Sequence, residues 1–162
     1  MPDRQPTADR PGMPGYGVAT GSTGLLPWSW ATERLSTAHG YWVATTDPDG
    51  APHLAAVWAV WFDDAICFST GGRSRKARNL SRDPRCSVTT GDATESLVVR
   101  GIARRLTDPA TMDGLRLVYI AKYGEGFPDP GESPVFAVTP YTVVGIVEAA
   151  FTSSATRWKF SG

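Results

Sequence analysis

Short segments in which apolar and polar residues alternate dominate this chain from Tyr41 onward, and they constrain the fold more than any other feature. Alternation with a period of two indicates half-buried β-strands. Because the 48–50 segment ends in Asp-Gly and 63–64 is Asp-Asp, the first three strands are predicted to form an antiparallel meander with tight turns. Strands are predicted over residues 41–47, 52–62, 66–70, 86–90, 97–106, 135–138 and 142–148.

Three helices are predicted from their start and stop signals. Ser29 is a candidate cap for a short first helix that carries Ala31, Leu35 and Ala38 on one face. Ser74 is a candidate cap for a second helix over 75–82, which an Asp-Pro pair ends. The third helix begins at Asp108-Pro109, carries Met112, Leu115, Val118 and Tyr119 on its face, and ends near Gly124.

The fold class follows from this order of elements. About seven strands without a regular strand–helix–strand alternation predict a mainly β protein, an antiparallel β-barrel with added helices. A chain of 162 residues fits one domain. Residues 1–24 are rich in Pro, Gly, Ser and Thr and should form a disordered or draped tail, whereas residues 25–162 should form the folded domain.

Composition excludes several classes of function. Sixteen basic residues balance sixteen acidic ones, which argues against a nucleic-acid partner bound by a broad basic face. No apolar stretch is long enough to span a bilayer, and no signal sequence is evident, so we expect a cytoplasmic protein. His39 and His53 lie far apart, and Cys67 and Cys86 do not form a Cys-x-x-Cys pair, so no metal site is predicted.

The segment from Ser69 to Asn79 carries the clearest chemical signal. A strand delivers the hydroxyls of Ser69 and Thr70 to a Gly-Gly turn, and a helix with a basic first turn follows. Free helical N–H groups beside cations and hydroxyls are typical of a phosphate site. Charge counting alone favours a solvated basic face, but Asn79, a neutral amide among cations, favours a ligand edge.

Six tryptophans are many for a domain of this size. Trp42, Trp58 and Trp61 lie on predicted strands. They either fill the barrel or stack on a flat, conjugated ligand, and the sequence leaves both alternatives open.

Residues 26–160 resemble the pyridoxamine 5′-phosphate oxidase-like split barrels. The resemblance rests on the Asp-Gly turn, the Pro-His strand with Trp58, the Phe-Ser-Thr strand, and the Lys-x-x-Asn-Leu-x-x-Asp-Pro motif at 76–84. Within this class the chain is most similar to the actinobacterial branch that uses the deazaflavin coenzyme F-420, because the closing Thr-Arg-Trp-Lys-Phe at 156–160 is similar to a terminal motif of that branch.

The resemblance implies a split β-barrel of the FMN-binding type, a homodimer, and a cofactor site shared between subunits. Lys76, with help from Arg75, Arg78 and Asn79, would hold the cofactor phosphate. Ser69 and Thr70 would support that phosphate, and residues 55–58 would line the tricyclic ring. Arg157 and Trp158 would close the partner's pocket, although Trp158 could equally plug one end of the barrel. The residues implied on the ring side are Ala55, Ala56, Val57 and Trp58.

The function implied by the resemblance is hydride transfer between reduced F-420 and an unsaturated or imine-like organic substrate. The cofactor carries that chemistry, so no protein nucleophile is required. Tyr119 and Tyr123 could donate a proton, but no catalytic residue is assigned. An FMN-dependent oxidase or reductase is the alternative on the same fold, and a non-catalytic flavin-, F-420- or haem-binding protein is the alternative from another class.

Overall fold

A computed structural model describes residues 4–124 and 126–162 of the chain; the first three residues of the expected tail lie outside the described residues. Within these residues there are nine strands: β1 (Thr7–Asp9), β2 (Tyr41–Thr46), β3 (Pro52–Val57), β4 (Ala59–Phe62), β5 (Ala65–Ser69), β6 (Arg85–Thr89), β7 (Glu95–Arg105), β8 (Val135–Val147) and β9 (Thr156–Lys159). The helices are α1 (Trp28–Thr37), α2 (Arg75–Arg82), α3 (Pro109–Tyr123) and α4 (Phe151–Ser154), with a 3-10 turn over Glu148–Ala150.

All strand pairs of the single sheet are antiparallel. The main path runs β1-β9-β8-β7-β6-β2-β3, and β5 joins β8 to β4. The long strand β8 makes this possible, because its first part pairs with β5 and its later part pairs with β9. The sheet therefore curls around a core but stays open between β3 and β4. The predicted mainly antiparallel barrel with added helices is confirmed.

The division into strands differs from the prediction in two segments. The predicted strand over 52–62 is two strands, β3 and β4, which are separated at Trp58. The predicted strands over 135–138 and 142–148 form the single strand β8, although Pro140 lies in its middle. A bulge at Tyr141 of β8, where Arg100 pairs with Thr142 and Gly101 with Pro140, accommodates this proline, which has no N–H to contribute to the ladder.

The N-terminal segment contributes a strand that sequence analysis did not predict. Residues 7–9 pair with β9 at the edge of the sheet. Polar contacts, rather than apolar burial, hold this segment. The Arg10 guanidinium donates to the carbonyls of Gly21, Thr23, Ser153 and Ala155, and the Asp9 carboxylate pairs with Arg157 and Lys159.

The helices pack against the open sheet and extend its core. Ala31 and Leu35 of α1 and Ala77 and Leu80 of α2 join the main core cluster. The inner face of α3 covers a second cluster outside β4, β5 and β8. Helix α1 begins at Trp28 with Pro27 at the cap position, so Ser29 is not its cap, and Val118 of α3 is exposed rather than packed. No described helix has the length and apolar character needed to cross a membrane.

Candidate functional site

The start of helix α2 is anchored by a hydroxyl pair and two apolar side chains. The Ser74 hydroxyl caps the helix by accepting from the Ala77 N–H, and it lies 3.1 Å from the Thr70 hydroxyl. Ala77 and Leu80 are buried. The first N–H groups of the helix, those of Arg75 and Lys76, have no acceptor within the helix. The structure thus brings Thr70 and free helical N–H groups together, as an anion site requires.

The basic side chains of α2 divide between two sides of the helix. A cleft of about 610 Å³ lies between the β2–β3 turn and α2, and Lys76 is not among its lining residues. Lys76 is half buried and has no carboxylate partner among the residues that the structure describes. The sequence predicts one cluster of cations on α2. In the structure, Lys76 is separated from the arginines that line the cleft. The cleft is lined by Asp47, Pro48, Asp49, Arg75, Arg78, Asn79 and Arg82.

Asn79 is a structural member of this cleft. Its side chain is 3% exposed, and its amide nitrogen donates to the Thr45 hydroxyl at 3.0 Å and to the Asp47 carboxylate at 2.8 Å. Arg75 donates to the other Asp47 oxygen at 2.9 Å. The Asn79 amide, followed by Arg75, holds the pKa of Asp47 below its ordinary value. Only the Asn79 carbonyl oxygen is left for a ligand, so the amide positions α2 against β2.

Ser69 lies at the end of β5 and is engaged by a neighbouring loop. Its hydroxyl donates to the Ser133 carbonyl at 3.1 Å, and the Thr70 N–H donates to the Pro134 carbonyl at 3.2 Å. These contacts fix the strand end from which the Gly-Gly turn departs. Thr70 faces the helix start, whereas Ser69 faces the loop.

Residues 55–58 run along β3 to its break. Ala55 and Val57 point towards the barrel interior, Ala56 is exposed on the outer face, and Trp58 stands half exposed at the break. Because the ladder is interrupted, the backbone of Ala59 bonds to side chains instead. Its N–H donates to the Tyr123 hydroxyl at 3.1 Å, and its carbonyl accepts from Lys122 at 2.9 Å.

Arg157 and Trp158 are both engaged within the chain. Arg157 donates two hydrogen bonds to the Asp9 carboxylate, at 2.7 and 2.8 Å. Trp158 is 1% exposed and lies between Trp28 and Trp30 in the core. Strand β9 pairs with β8, and this pairing turns the indole inward. Within one chain, the buried Trp158 indole therefore packs inside the barrel, and the closing of a partner's pocket by Arg157 and Trp158 stays a prediction.

A cluster at the end of α3 was only partly anticipated from the sequence. The sequence offers Tyr123 as a possible proton donor, whereas no motif singles out Lys122 beside it. In the structure, burial lowers the pKa of Lys122 to about 8. Its ammonium donates to the Tyr41 hydroxyl at 2.7 Å.

Metal-ligating and thiol groups do not form a further site in the part of the chain that is described. No group of three His, Cys, Asp or Glu side chains there is arranged to hold a metal ion. Cys67 and Cys86 are free and buried, and burial raises the pKa of each thiol to about 12. Neither thiol is therefore ionised near neutral pH.

Comparison with known proteins gives a family match and a set of similar folds. Residues 31–146 match the model of the pyridoxamine 5′-phosphate oxidase family. A pyridoxine/pyridoxamine 5′-phosphate oxidase of Thermobifida fusca is 38% identical over 87 residues, which are 49% of this chain and 39% of that protein. The chain thus spans well under half the length of this curated relative.

Two solved structures share the fold at lower identity. A conserved hypothetical protein of Mycobacterium tuberculosis superimposes with a TM-score of 0.65 at 21% identity, over 78% of this chain and 88% of that one. An F-420 reductase superimposes with a TM-score of 0.57 at 23% identity, over 68% of this chain and 93% of that one.

Proposed function

Because the chain belongs to the pyridoxamine 5′-phosphate oxidase family of split β-barrels, we propose that it is an F-420-dependent oxidoreductase. The proposed reaction moves a hydride between the reduced deazaflavin and an unsaturated or imine-like carbon of an organic substrate. When bound, the cofactor supplies the hydride chemistry. The chain's own residues then bind, orient and desolvate the reactants.

The observation that carries the proposal is the surplus of cations on α2. Lys76 and the helix start are enough for one phosphate, yet the separate cleft holds three more arginines. Arg75 pairs with Asp47, and Arg82 donates to the Thr46 carbonyl. Arg78 is exposed and has no carboxylate partner among the described residues. A cofactor with an acidic tail beyond its phosphate would use both sides of the helix, and the polyglutamate tail of F-420 is such a group.

The rest of the proposed site follows the geometry. The phosphate would lie at the start of α2, against its free N–H groups, Lys76 and the Thr70–Ser74 hydroxyl pair. The tricyclic ring would lie along residues 55–57 of β3, where small side chains leave the backbone accessible, and against the backbone of residue 58. The acidic tail would enter the cleft beside Arg78.

An FMN-dependent oxidase or reductase is the second candidate. It is favoured by the Thermobifida fusca relative, which is a pyridoxine/pyridoxamine 5′-phosphate oxidase. FMN shares the phosphate and a tricyclic ring but has no acidic tail. It would therefore use the helix start and β3, and leave the arginine cleft unused.

Titration of the purified chain with F-420 and with FMN separates the two candidates. We expect tighter binding of F-420, and affinity that rises with the number of glutamates in its tail. Lys76→Ala should weaken the binding of both cofactors, whereas Arg78→Ala should weaken the binding of F-420 alone. Each lost charged contact should cost about 1.5–3 kcal/mol, or roughly 10- to 150-fold in Kd.

Arg104→Ala is the matched control, because Arg104 is an exposed arginine on β7 and does not line the cleft. It should leave both affinities unchanged. If FMN binds as tightly as F-420 or more tightly, the assignment of the deazaflavin as cofactor is wrong. If Lys76→Ala and Arg104→Ala bind alike, the basic helix is only a solvated face.

The proposal includes a cytoplasmic homodimer with shared sites. Its support is an apolar outer face on the sheet. Trp42 lies opposite Ala56 on one side and Thr89 on the other, and Thr89 lies opposite Val98. Leu54 lies two residues from Ala56 on the same face of β3 and is 60% exposed. A contiguous apolar face of this kind is typical of a surface that a second copy covers.

A further inference from the structure

An exposed aromatic stack lies at the point where β3 breaks. The rings of Trp58 and Tyr123 are parallel, with centroids 4.5 Å apart and an interplanar angle of 1°. His39 contacts the edge of both rings at 5.7 and 5.6 Å. Tyr123 covers one face of the indole, yet Trp58 remains 49% exposed. The same chain buries Trp158 almost completely, so its fold accommodates large aromatics in the core, but leaves this one open.

Backbone bonds make the stack rigid. The break in the ladder frees the N–H and carbonyl of Ala59, next to Trp58. The Tyr123 hydroxyl accepts from that N–H at 3.1 Å and is placed to donate to the Ala59 carbonyl or to the His39 carbonyl. These contacts tie the end of α3 to the break and fix the plane of the Tyr123 ring. A flat surface is therefore formed before any ligand arrives, which lowers the entropic cost of binding.

A cation lies at the Tyr123 side of this stack, with the Lys122 ammonium 5.3 Å from the centroid of the Tyr123 ring. The Lys122 ammonium donates two hydrogen bonds, to the Tyr41 hydroxyl at 2.7 Å and to the Ala59 carbonyl at 2.9 Å. An ammonium has three protons, so one is left. The titratable side chains nearest to it are Tyr41, Tyr123 and, at the edge of the stack, His39, and none of them is a carboxylate. No carboxylate among the described residues pairs with Lys122.

We propose that Trp58 and Tyr123 form a binding platform for a planar, conjugated molecule, and that the positive charge of Lys122 attracts an anionic group at the edge of that molecule. The open face of Trp58 would extend the stack by one more ring system. The proposal rests on the proposed function and deepens it. Trp58 directly follows the β3 residues expected to line the cofactor ring, so the molecule on the platform is the hydride acceptor. This assigns the Trp58 side chain to the substrate, while the strand before it serves the cofactor.

Anthraquinone-2-sulfonate is a suitable probe, since it is planar, conjugated and anionic. Its binding to the cofactor-free full chain is measured by calorimetry, which requires no turnover. Trp58→Leu should weaken binding at least about tenfold, and Trp58→Phe should weaken it less because a flat ring remains. Lys122→Met should weaken the binding of the sulfonate but not the binding of the neutral 1,4-naphthoquinone. Tyr16→Leu is the control, because Tyr16 is an exposed aromatic paired with Phe151 away from this cluster.

The outcomes separate this proposal from the cofactor assignment. Unchanged probe binding by Trp58→Leu, or equal losses in Trp58→Leu and Tyr16→Leu, would overturn the platform. It would also be overturned if Trp58→Leu weakened F-420 or FMN as strongly as the probe, because the ring would then belong to the cofactor site. A wild-type chain that binds the probe but neither cofactor would overturn the proposed function and leave the platform standing.

Discussion

The amide of Asn79 determines where the cations of α2 point. Both of its N–H donors are used inside the fold, on Thr45 of β2 and on Asp47 just beyond it. These bonds fix the rotation of α2 about its axis. Arg75 and Arg82, about one turn before and after Asn79, consequently line the cleft at the β2–β3 turn, whereas Lys76 lies on the other side of Asn79 around the helix and does not line it. One buried polar contact therefore separates the arginines of the cleft from the lysine at the helix start.

Lys122 leads to a prediction about stability and pH. Burial lowers its pKa from 10.5 to about 8. Between these values the unfolded chain holds one proton more than the folded chain. The contribution of Lys122 to the free energy of unfolding should therefore rise as pH increases from 8 to 10.5, because the penalty for burying the charge disappears. Lys122→Met should lack this rise.

Urea unfolding of both proteins at pH 7, 8, 9 and 10 measures this difference. Subtraction is needed because burial raises the pKa of Cys67 and Cys86 to about 12, which lowers stability with pH above about 9 in both proteins. The difference in the free energy of unfolding, wild type minus Lys122→Met, should be constant below pH 8 and should increase above it. A constant difference over the whole range would show that the ammonium is solvated.

At the scale of elements, local signals predict the helices better than the strands. Ser74 caps α2 and Asp108 caps α3, as their sequences indicate. The break at Trp58 has no such signal, since residues 57–62 are continuously apolar and contain no Gly or Pro. It depends on Tyr123, which lies 64 residues away from Ala59. Contacts of this range are invisible to local periodicity, so the sequence leaves the role of Trp58 open and does not predict its stacking on Tyr123.

The bulge beside Pro140 in β8 leads to a prediction about Gly101, which pairs with this proline. A Cβ on Gly101 would lie 2.6 Å from a Val138 methyl carbon and 2.7 Å from the Thr139 carbonyl oxygen. The backbone of β8 cannot yield without breaking its pairing. Gly101→Ala should therefore destabilise the fold by about 1–3 kcal/mol. Gly40→Ala is the control, because nothing lies within 4 Å of a Cβ there. Chemical denaturation of both variants provides the measurement, and equal stability would argue against the close approach of β7 and β8.

At the scale of the whole molecule, the candidate site is divided among surfaces that a single chain leaves open. The helix start, the arginine cleft, the β3 segment and the aromatic stack all lie near the surface. The two residues expected to close a partner's pocket, Arg157 and Trp158, are instead held by Asp9 and by the core. In the proposed dimer, the second chain would dock on the outer face of β3, β2, β6 and β7, where Leu54, Trp42 and Val98 are exposed.

Leu54 tests this arrangement because it is the most exposed large apolar residue on that face. We expect wild type to sediment at twice 17.4 kDa, and Leu54→Asp to sediment as a monomer, since it would bury a charge against a second apolar surface. Leu117→Asp is the control. Leu117 is also exposed, but it lies on the outer face of α3, so this variant should remain dimeric.

Because the proposed site is shared between subunits, Leu54→Asp should lose F-420 affinity while its unfolding transition is retained. A monomeric wild type, or a monomeric Leu54→Asp that binds F-420 as tightly as wild type, would show that one chain forms the site alone.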